Sequence, residues 1–293
     1  PGKIKLFYIV GEDVVHSEPN SKHVIASLEK AEFVVLHDLF MCKTAEYADV
    51  ILPASSFAEK EGTFTNADRR IQRVHKAIEP LSDTKPDGMI IRELSELLGY
   101  AMKYKTTAEI MDEIATLSPL FAGVSYERLE TSGFLQWPCP DKNHPGTKIL
   151  HQEGFSKGKG RFFAIEHQPP KEIPDEEFPF VLSTGRILFH YNSGTQTRRT
   201  AILSRECPEN FVQINHEDAK SLNIKNKSSV FISTRRGKLL VKAQVTENIM
   251  PGVVWMPFHY ADKLTNILTN DAFDPISQIG EYKACAAGIE KVV

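Results

Sequence analysis

The stretch FPFVLSTGRILFHYNSGTQTRR, from Phe178 to Arg199, joins two kinds of sequence and marks a change of fold. Its first five residues form a short apolar run, which is typical of a buried strand. From Ser183 to Arg199 the sequence holds three Arg, one His, Tyr191 and five Ser or Thr. Few of its residues could build a core. The stretch therefore predicts a strand that ends in a loop rich in hydrogen-bond donors.

Strand signals dominate the sequence from residue 178 onward. The segment SSVFISTRRGKLLVKAQV (228–245) holds two alternating runs with Arg236 and Gly237 between them, which indicates a β-hairpin. One helix, HEDAKSLNI (216–224), interrupts the strands. The pattern predicts a β-barrel domain over residues 178–293, with further strands in NFVQIN (210–215), GVVWMPFH (252–259) and ACAAGIEKV (284–292).

Residues 1–122 alternate between strand and helix signals instead. Strands are predicted in KLFYIV (5–10), EFVVLHDLF (32–40) and VILPAS (50–55), and helices in HVIASLEKA (23–31), MIIRELSELLGY (89–100) and AEIMDEIATL (108–117). This alternation indicates parallel strands joined by crossover helices, an α/β domain. Residues 123–177 are rich in Pro, Gly and charge and are predicted to be an irregular connection.

Composition and charge limit the classes of function. The 293 residues are 41% hydrophobic and 25% charged, and the net charge of -3 gives no reason to expect a nucleic-acid partner. No apolar run approaches the roughly 18 residues that span a bilayer, and the first residues do not form a signal peptide. We therefore expect a cytoplasmic protein without a membrane span. Because it lacks an initiator Met, we expect a processed chain or a piece of a longer one.

The four cysteines do not form a metal-binding pattern. They are far apart and no CxxC occurs, so an iron–sulfur or structural zinc site made by this chain alone is not expected. We interpret them as ordinary reduced thiols: Cys42, Cys139, Cys207 and Cys285.

Several acidic residues follow predicted strands. The run Gly11–Asp13 comes where the first strand ends, and His37 and Asp38 end the second. Ligands bind at the carboxyl ends of strands in open α/β sheets, and an Asp there can accept two hydrogen bonds from a guanine edge or a ribose. Such residues are also typical of turns and helix caps, as is Asp87 in a KPDG turn. Residue types and spacing alone favour turns and caps.

A second polar cluster lies at Glu61–Asn66 and is followed by Arg69 and Arg70. One interpretation is a loop that approaches a ligand, with Gly62 permitting close backbone contact. The interpretation that we favour is a solvated loop followed by an exposed basic pair, because most loops are only connections.

The donor-rich loop carries the strongest chemical signal. Gly185 and Gly194 free the backbone to turn, and the hydroxyls with Arg186 offer donors suited to phosphate oxygens. His190 could hydrogen-bond a heterocycle or carry a proton near neutral pH. The alternative is a Ser/Thr-rich loop whose last two arginines face water, and residue types alone leave both interpretations open.

Three stretches resemble the molybdopterin oxidoreductase family, in particular the large subunits of molybdenum- or tungsten-dependent formate dehydrogenases. They are ADVILPASSFAEKEGTFTNADRRIQRV (48–74), STGRILFHYNSGTQTRR (183–199) and DAFDPISQIGEYKACA (271–286), in family order. The resemblance covers nearly the whole chain. It implies an α/β dinucleotide-binding-like domain followed by a mainly β, double-psi-type barrel as a cap. It also implies that the donor-rich loop wraps a molybdopterin guanine dinucleotide, an anionic cofactor with a pyrophosphate.

The resemblance implies cofactor contacts in both domains. At the guanosine end these are Gly11, Glu12, His37, Asp38 and Asp87. Gly88 departs from the Trp that the family has after that Asp. In the barrel domain the implied contacts are Thr184, Gly185, Arg186, His190, Ser193, Phe258, Asn266, Tyr282 and Lys283.

Other family motifs do not occur in this sequence: the cluster-binding cysteine motif, the Cys or selenocysteine that ligates the metal, and the His and Arg beside the metal. The resemblance therefore implies the C-terminal part of a catalytic subunit, inactive alone and without catalytic or metal-ligating residues. The parent enzyme would oxidise formate to carbon dioxide, or run the reverse, with bis-molybdopterin guanine dinucleotide holding Mo or W. A 4Fe-4S cluster would lie upstream. The partners would be the rest of the subunit and electron-transfer subunits.

Two other functions compete with this one. A nitrate reductase of the same family would be distinguished by the metal ligand, which lies outside this sequence. A catalytically silent scaffold, like the molybdopterin-type subunit of respiratory NADH dehydrogenase, would have no need for a donor-rich loop. The presence of Arg186 and His190 argues against the scaffold.

Overall fold

A computed structural model describes residues 3–292. The chain forms two compact units, the described residues up to Ile51 together with those from Glu166 onward, and Leu52–Ile165. These units do not follow the predicted division after residue 122, because long-range hydrogen bonds tie the first segment to the barrel. His16 Nε2, for example, donates to the Phe258 carbonyl at 2.6 Å. The domain boundaries 1–122, 123–177 and 178–293 stay a prediction.

A small three-stranded sheet lies near the start of the chain. The strands β1 (Leu6–Val10), β2 (Phe33–Asp38) and β3 (Val50–Pro53) lie in the order β1-β2-β3. β1 and β2 are parallel, as predicted from the alternation of strands and helices, and the short helices α1 (Val14–Ser17) and α2 (Ser21–Leu28) join them. Ile9, Val34 and Leu36 of the sheet form a buried apolar cluster with Val15 of α1 and Leu28 of α2.

The second unit is built on an antiparallel sheet. It contains the strands β4 (Gly62–Thr65), β5 (Arg70–Val74) and β6 (Leu135–Gln136), in the order β4-β5-β6. The helices α3 (Asp87–Leu97), α4 (Thr107–Leu117) and α5 (Tyr126–Ser132) accompany it. The first two helices confirm the apolar stripes found in the sequence. The prediction that residues 123–177 are wholly irregular was wrong at two elements. The helix α5 begins after a Ser N-cap, and the strand β6 pairs with β5.

The polar cluster at Glu61–Asn66 is a strand and turn, so the prediction of a solvated loop was wrong. β4 pairs with β5, and the turn between them places Arg69 in the left-handed region at a φ of 63°. The Arg69 guanidinium donates to the carbonyls of Trp137, Thr147 and Lys148. Each of these carbonyls needs a hydrogen-bond donor, and the guanidinium at the turn supplies one.

The rest of the first unit is a closed six-stranded barrel, as the run of strand signals predicted. The strands are β7 (Phe180–Gly185), β8 (Phe211–Asn215), β9 (Ser229–Ser233), β10 (Lys238–Thr246), β11 (Val253–Pro257) and β12 (Cys285–Lys291). Their order around the barrel is β10-β8-β11-β7-β12-β9. The pairs β10 with β8 and β11 with β7 are parallel, and the other four neighbouring pairs are antiparallel. Alternate side chains fill the interior, among them Leu182, Ile214, Ile232, Val254 and Met256, all at most 1% exposed. The helices α6 (Ala201–Glu206) and α7 (His216–Ser221) belong to the same part of the chain.

The structure confirms the hairpin predicted at Gly237 and contradicts the turn predicted at Gly185. β9 and β10 form the hairpin predicted around Arg236 and Gly237, closed by the bond from Thr234 N to the Gly237 carbonyl at 2.9 Å. Gly185 does not make a turn: it is the last residue of β7 and pairs with Pro257. A Cβ at Gly185 would lie 2.6 Å from Nε1 of the Trp255 indole. Glycine is needed there for close packing.

We expect Gly185→Ala to lower the free energy of unfolding by about 1–3 kcal/mol, because the added methyl group overlaps the Trp255 ring. Urea unfolding measures the change. Gly62→Ala is the matched control, since Gly62 is also a strand residue but a methyl group added there would have no other atom within 4 Å. Equal stability losses in the two variants would contradict the packing explanation.

Within residues 3–292, every helix is too short or too polar to cross a lipid bilayer.

Candidate functional site

A cleft of about 1180 Å³ lies within the first unit, where the carboxyl ends of β1 and β2 meet the end of β7. Residues from the loops after these three strands make up most of its wall. The lining residues are Gly11, Glu12, Asp13, Ser17, Glu18, Asp38, Leu39, Phe40, Thr184, Arg186, Tyr191, Asn192, Ser193, Thr195, Gln196, Thr197, Phe258, Asn266, Tyr282 and Lys283.

The cleft brings together most of the residues for which cofactor contacts were predicted. Those that line it are Gly11, Glu12, Asp38, Thr184, Arg186, Ser193, Phe258, Asn266, Tyr282 and Lys283. Four predicted residues are not part of its wall: His37, Asp87, Gly185 and His190. Whether each residue contacts a cofactor stays a prediction.

The acidic side of the cleft is built by the ends of β1 and β2. Gly11 adopts a φ of 62°, and its N–H donates to the His37 carbonyl at 2.8 Å, which turns the chain away from β1. Asp38 accepts a hydrogen bond from Phe40 N at 3.2 Å. Burial raises the pKa of the Asp38 carboxyl. A ligand that donates hydrogen bonds to Asp38 would compensate for the water that this carboxyl has lost.

Asp13 has a structural role, as one of the two interpretations of the Gly11–Asp13 run predicted. Its Oδ1 accepts from Thr44 N at 2.9 Å and from Thr44 Oγ1 at 2.8 Å. Its Oδ2 accepts from Lys43 N at 3.3 Å. These bonds hold the segment after β2 against the turn after β1 and so fix the acidic wall of the cleft.

Two cations also line the cleft. Arg186 follows β7 directly, and its guanidinium lies 5.8 Å from the centre of the Phe258 ring. No other residue between 3 and 292 gives Arg186 a hydrogen bond or an ion pair. The Lys283 ammonium donates to the Thr184 carbonyl. Burial, and then the charge of Arg186, lower the pKa of Lys283. Two neighbouring cations of this kind favour an anionic ligand.

Burial and neighbouring carboxylates raise the pKa values of two other residues of the cleft. Burial, followed by the charge of Glu12, raises the pKa of Glu18. Burial raises the pKa of Tyr282 to about 12, and the charges of Glu18 and Glu12 add to the shift. The cleft therefore holds both carboxylates and the cations Arg186 and Lys283 in its wall. Such a cleft fits a ligand that has N–H donors and phosphates on one molecule.

Asn266 carries an unsatisfied acceptor at the cleft. Its Nδ2 donates to the carbonyls of His16 and Ser17 at 2.9 and 3.0 Å, at the end of α1. Its Oδ1 has no partner among the described residues, although the side chain is only 3% exposed. A buried acceptor without a donor costs free energy. An N–H group of a heterocycle such as a pterin would remove that cost, so the residues present fit such a group.

His190 is buried at 3% exposure and anchors the loop instead of lining the cleft. Its Nε2 donates to the Cys207 carbonyl at 3.1 Å, and its ring meets the Tyr260 ring edge-on. Its Nδ1 has no hydrogen-bond partner among residues 3–292. That His190 hydrogen-bonds a heterocycle or carries a proton therefore stays a prediction.

His37 and Asp87 also lie elsewhere. His37 is fully buried in β2, with its Nδ1 3.4 Å from the Tyr8 hydroxyl. Asp87 begins α3 in the second unit and forms an ion pair with Lys60.

Two histidines that the sequence analysis did not single out support the cleft from beneath. His259 contacts the donor-rich loop through both ring nitrogens. His16 Nε2 donates to the Phe258 carbonyl, while burial lowers the pKa of His16. Both rings are at most 2% exposed. Neither residue belongs to a spaced motif, so the sequence offered no signal for them. Among residues 3–292 no group of three or more His, Cys, Asp or Glu is arranged to hold a metal ion.

Two family models match the chain. Residues 1–97 match the model described as molybdopterin oxidoreductase. Residues 180–286 match the model described as molydopterin dinucleotide binding domain. The second match spans the strands β7, β8, β9, β10 and β11 and reaches into β12, so it covers the barrel side of the cleft.

Curated relatives are similar over nearly the whole chain. The F420-dependent formate dehydrogenase 2 subunit alpha of Methanococcus maripaludis is 47% identical over 294 residues, which is 99% of this chain and 43% of the relative. The F420-dependent formate dehydrogenase subunit alpha of Methanocaldococcus jannaschii is 46% identical, over 99% and 43%. Formate dehydrogenase H of Escherichia coli is 39% identical, over 99% and 41%. The chain thus spans less than half the length of these relatives.

A solved structure shares the fold. Acetylene hydratase from Pelobacter acetylenicus superimposes with a TM-score of 0.73 over 98% of this chain and 44% of that one. The two sequences are 18% identical, so the likeness concerns the arrangement of the chain alone.

Proposed function

We propose that the chain is a member of the molybdopterin oxidoreductase family and forms the cofactor-binding C-terminal portion of a formate dehydrogenase alpha subunit. The parent enzyme would oxidise formate to carbon dioxide or catalyse the reverse reaction. Relatives that carry this name at 39–47% identity support the proposal. They also favour it over a nitrate reductase.

The observation that carries the proposal is the cleft, whose wall combines carboxylates, two cations and the unsatisfied acceptor of Asn266. We propose that Glu12 and Asp38 accept N–H groups of a guanine base, while Arg186 and Lys283 bind the pyrophosphate. Asn266 Oδ1 would accept an N–H from the pterin. The ligand would thus be a molybdopterin guanine dinucleotide, whose donors match the carboxylates and whose phosphates match the cations of the cleft. An exposed Arg186 without a partner among the described residues argues against a silent scaffold.

When bound, the cofactor with its molybdenum or tungsten supplies the two-electron chemistry. The residues of this chain bind it and orient it, and none of them acts as a catalytic acid. The sheet β1-β2-β3 with its helices would serve as a dinucleotide-binding-like layer, and the barrel as a double-psi-type cap. In the parent we propose a bis-molybdopterin arrangement, a 4Fe-4S cluster outside this sequence, electron-transfer subunits as partners and a cytoplasmic location.

The proposal is tested by assaying the purified parent subunit with a viologen dye. We expect formate-dependent dye reduction, no nitrate-dependent dye oxidation, and no turnover by this chain alone. The pterin and metal content of the same preparation shows whether the site is loaded. Nitrate turnover without formate turnover in a loaded enzyme would overturn the proposal.

A further inference from the structure

We infer that His259 is a positioning residue, which holds the loop Ile187–Gly194 in the shape that the cleft requires and does so only as the neutral imidazole with its proton on Nδ1. The inference rests on the proposed function, because this loop supplies Asn192 and Ser193 to the wall of the proposed cofactor site. His259 itself does not line the cleft.

Both ring nitrogens of His259 bond to the backbone of the loop, and their roles are opposite. Ile187 N donates to Nε2 at 3.0 Å, so Nε2 must be an acceptor. Nδ1 faces the Asn192 carbonyl, which can only accept, so Nδ1 must carry the proton. The two partners lie at the start of the loop and near its end. One ring therefore fixes both arms of the loop, and a single tautomer satisfies both bonds.

A third contact brings the loop directly onto the backbone of His259. Gly194 has a φ of 78°, and a Cβ at this position would come within 2.6 Å of the His259 carbonyl oxygen and 3.2 Å of its Cβ. Only glycine permits this approach. The loop thus contacts His259 at Ile187, Asn192 and Gly194. Asn192 lies between the other two and has a φ of 48°.

Few other bonds anchor the loop. Among the described residues, the bonds of Tyr191 and Gly194 stay within the segment up to Arg198. Beyond His259, the loop is anchored by His190, whose Nε2 donates to the Cys207 carbonyl. Loss of the His259 ring bonds would leave the segment from Ile187 to Asn192 with His190 as its remaining hydrogen-bonded anchor.

The surroundings of His259 favour the neutral ring. The side chain is fully buried, and burial lowers its pKa to about 4. The titratable and charged groups that face it are His190, whose ring centre lies 5.9 Å away, His16 and Arg186. The charge of Arg186 acts in the same direction as burial and disfavours the protonated ring. A proton on Nε2 would also point at the N–H of Ile187, so protonation breaks the bond that starts the loop.

The test compares His259→Phe and His259→Gln in the parent subunit prepared without cofactor. Phe keeps an aromatic ring at this position and removes both bonds, whereas Gln offers a carbonyl oxygen as acceptor and an NH2 group as donor. We expect hydrogen exchange at the Ile187 amide to become about tenfold faster or more in His259→Phe and to return towards the wild-type rate in His259→Gln. His216→Phe, at an exposed histidine of the same unit, is the control. Wild-type exchange at Ile187 in His259→Phe would overturn the inference.

Two further measurements separate this inference from the proposed function. Nitrogen NMR of the wild-type histidines should show His259 neutral with the proton on Nδ1 down to about pH 5, and an Nε2–H or charged ring there would overturn the inference without relying on any variant. Guanosine 5′-diphosphate serves as the probe of the cleft, and we expect its affinity to fall about tenfold in His259→Phe. If the wild-type subunit fails to bind this probe while Ile187 still depends on His259, the proposed ligand is wrong and the positioning role stands.

Discussion

Replacing Arg186 by alanine is expected to weaken binding of guanosine 5′-diphosphate by roughly tenfold to a hundredfold and to leave the fold intact. The guanidinium lies over Phe258 and makes no hydrogen bond or ion pair within residues 3–292, so its removal leaves no partner unsatisfied. A charge-assisted hydrogen bond to phosphate contributes about 1.5–3 kcal/mol, and about 1.4 kcal/mol corresponds to a factor of ten in affinity.

The measurement is calorimetric titration of the cofactor-free parent subunit, combined with the pterin and metal content of the loaded enzyme. Arg186→Lys should give an intermediate affinity, because an ammonium cannot bond two phosphate oxygens as a guanidinium does. Arg205→Ala is the matched control, since Arg205 pairs with its neighbour Glu206 and lies outside the cleft wall. Full cofactor occupancy in Arg186→Ala at limiting cofactor would show that Arg186 is a surface residue without a role in binding.

The barrel could be predicted because its information is local. In β8, β9 and β11 every second residue is buried, and this period of two is visible in the sequence without knowledge of strand order. The parallel pairing of β1 with β2 could be predicted for the same reason, since helices separate the strands. The closed strand order was not visible, because it depends on contacts between distant segments.

The hairpin of β4 and β5 escaped prediction because its residues are polar and half-exposed. Thr63, Phe64 and Thr65 have the β-branched and aromatic character of a strand, but the flanking Glu61 and Asn66 suggested a loop. What fixes the turn is Arg69, whose acceptors are carbonyls from residues 137 to 148. No local pattern reports partners so far along the chain.

The site shows the same limit. The donor-rich loop could be recognised as a binding segment from its composition, but composition does not separate a residue that faces the cleft from one that anchors the loop. Arg186 and His190 are four residues apart and were assigned the same role. The structure gives His190 a bond to the Cys207 carbonyl and, within residues 3–292, leaves Arg186 free of such bonds. The composition of the loop could not show this difference, because the groups that His190 contacts, the Cys207 carbonyl and the His259 ring, lie outside the loop.

Asn266→Asp is expected to lower the free energy of unfolding by about 3–5 kcal/mol at pH 8, the usual cost of an unpaired buried charge. The change keeps the shape of the side chain. It removes the Nδ2 donor from the carbonyls of His16 and Ser17 and places a carboxylate oxygen against both. The position is 3% exposed, so water cannot compensate.

The pH dependence of this loss has a definite sign. Burial among carbonyl oxygens would raise the pKa of the new carboxyl above its ordinary value of about 3.9. The cost is therefore fully present above the raised pKa and decreases as the pH falls below it, because the protonated acid is neutral and can donate to one carbonyl. Urea unfolding at pH 8 and pH 5, each compared with the wild type at the same pH, should show the smaller difference at pH 5.

Asn248→Asp controls for the change of residue type, since Asn248 is exposed in the same unit and its side chain makes no hydrogen bond among residues 3–292. A loss in Asn266→Asp that matches this control at both pH values would mean that the two carbonyls of α1 have another donor. It would also contradict the assignment of Asn266 Nδ2 to the fold and of Oδ1 to a ligand. A loss that depends on pH as described ties the end of α1 and the wall of the cleft to the same side chain.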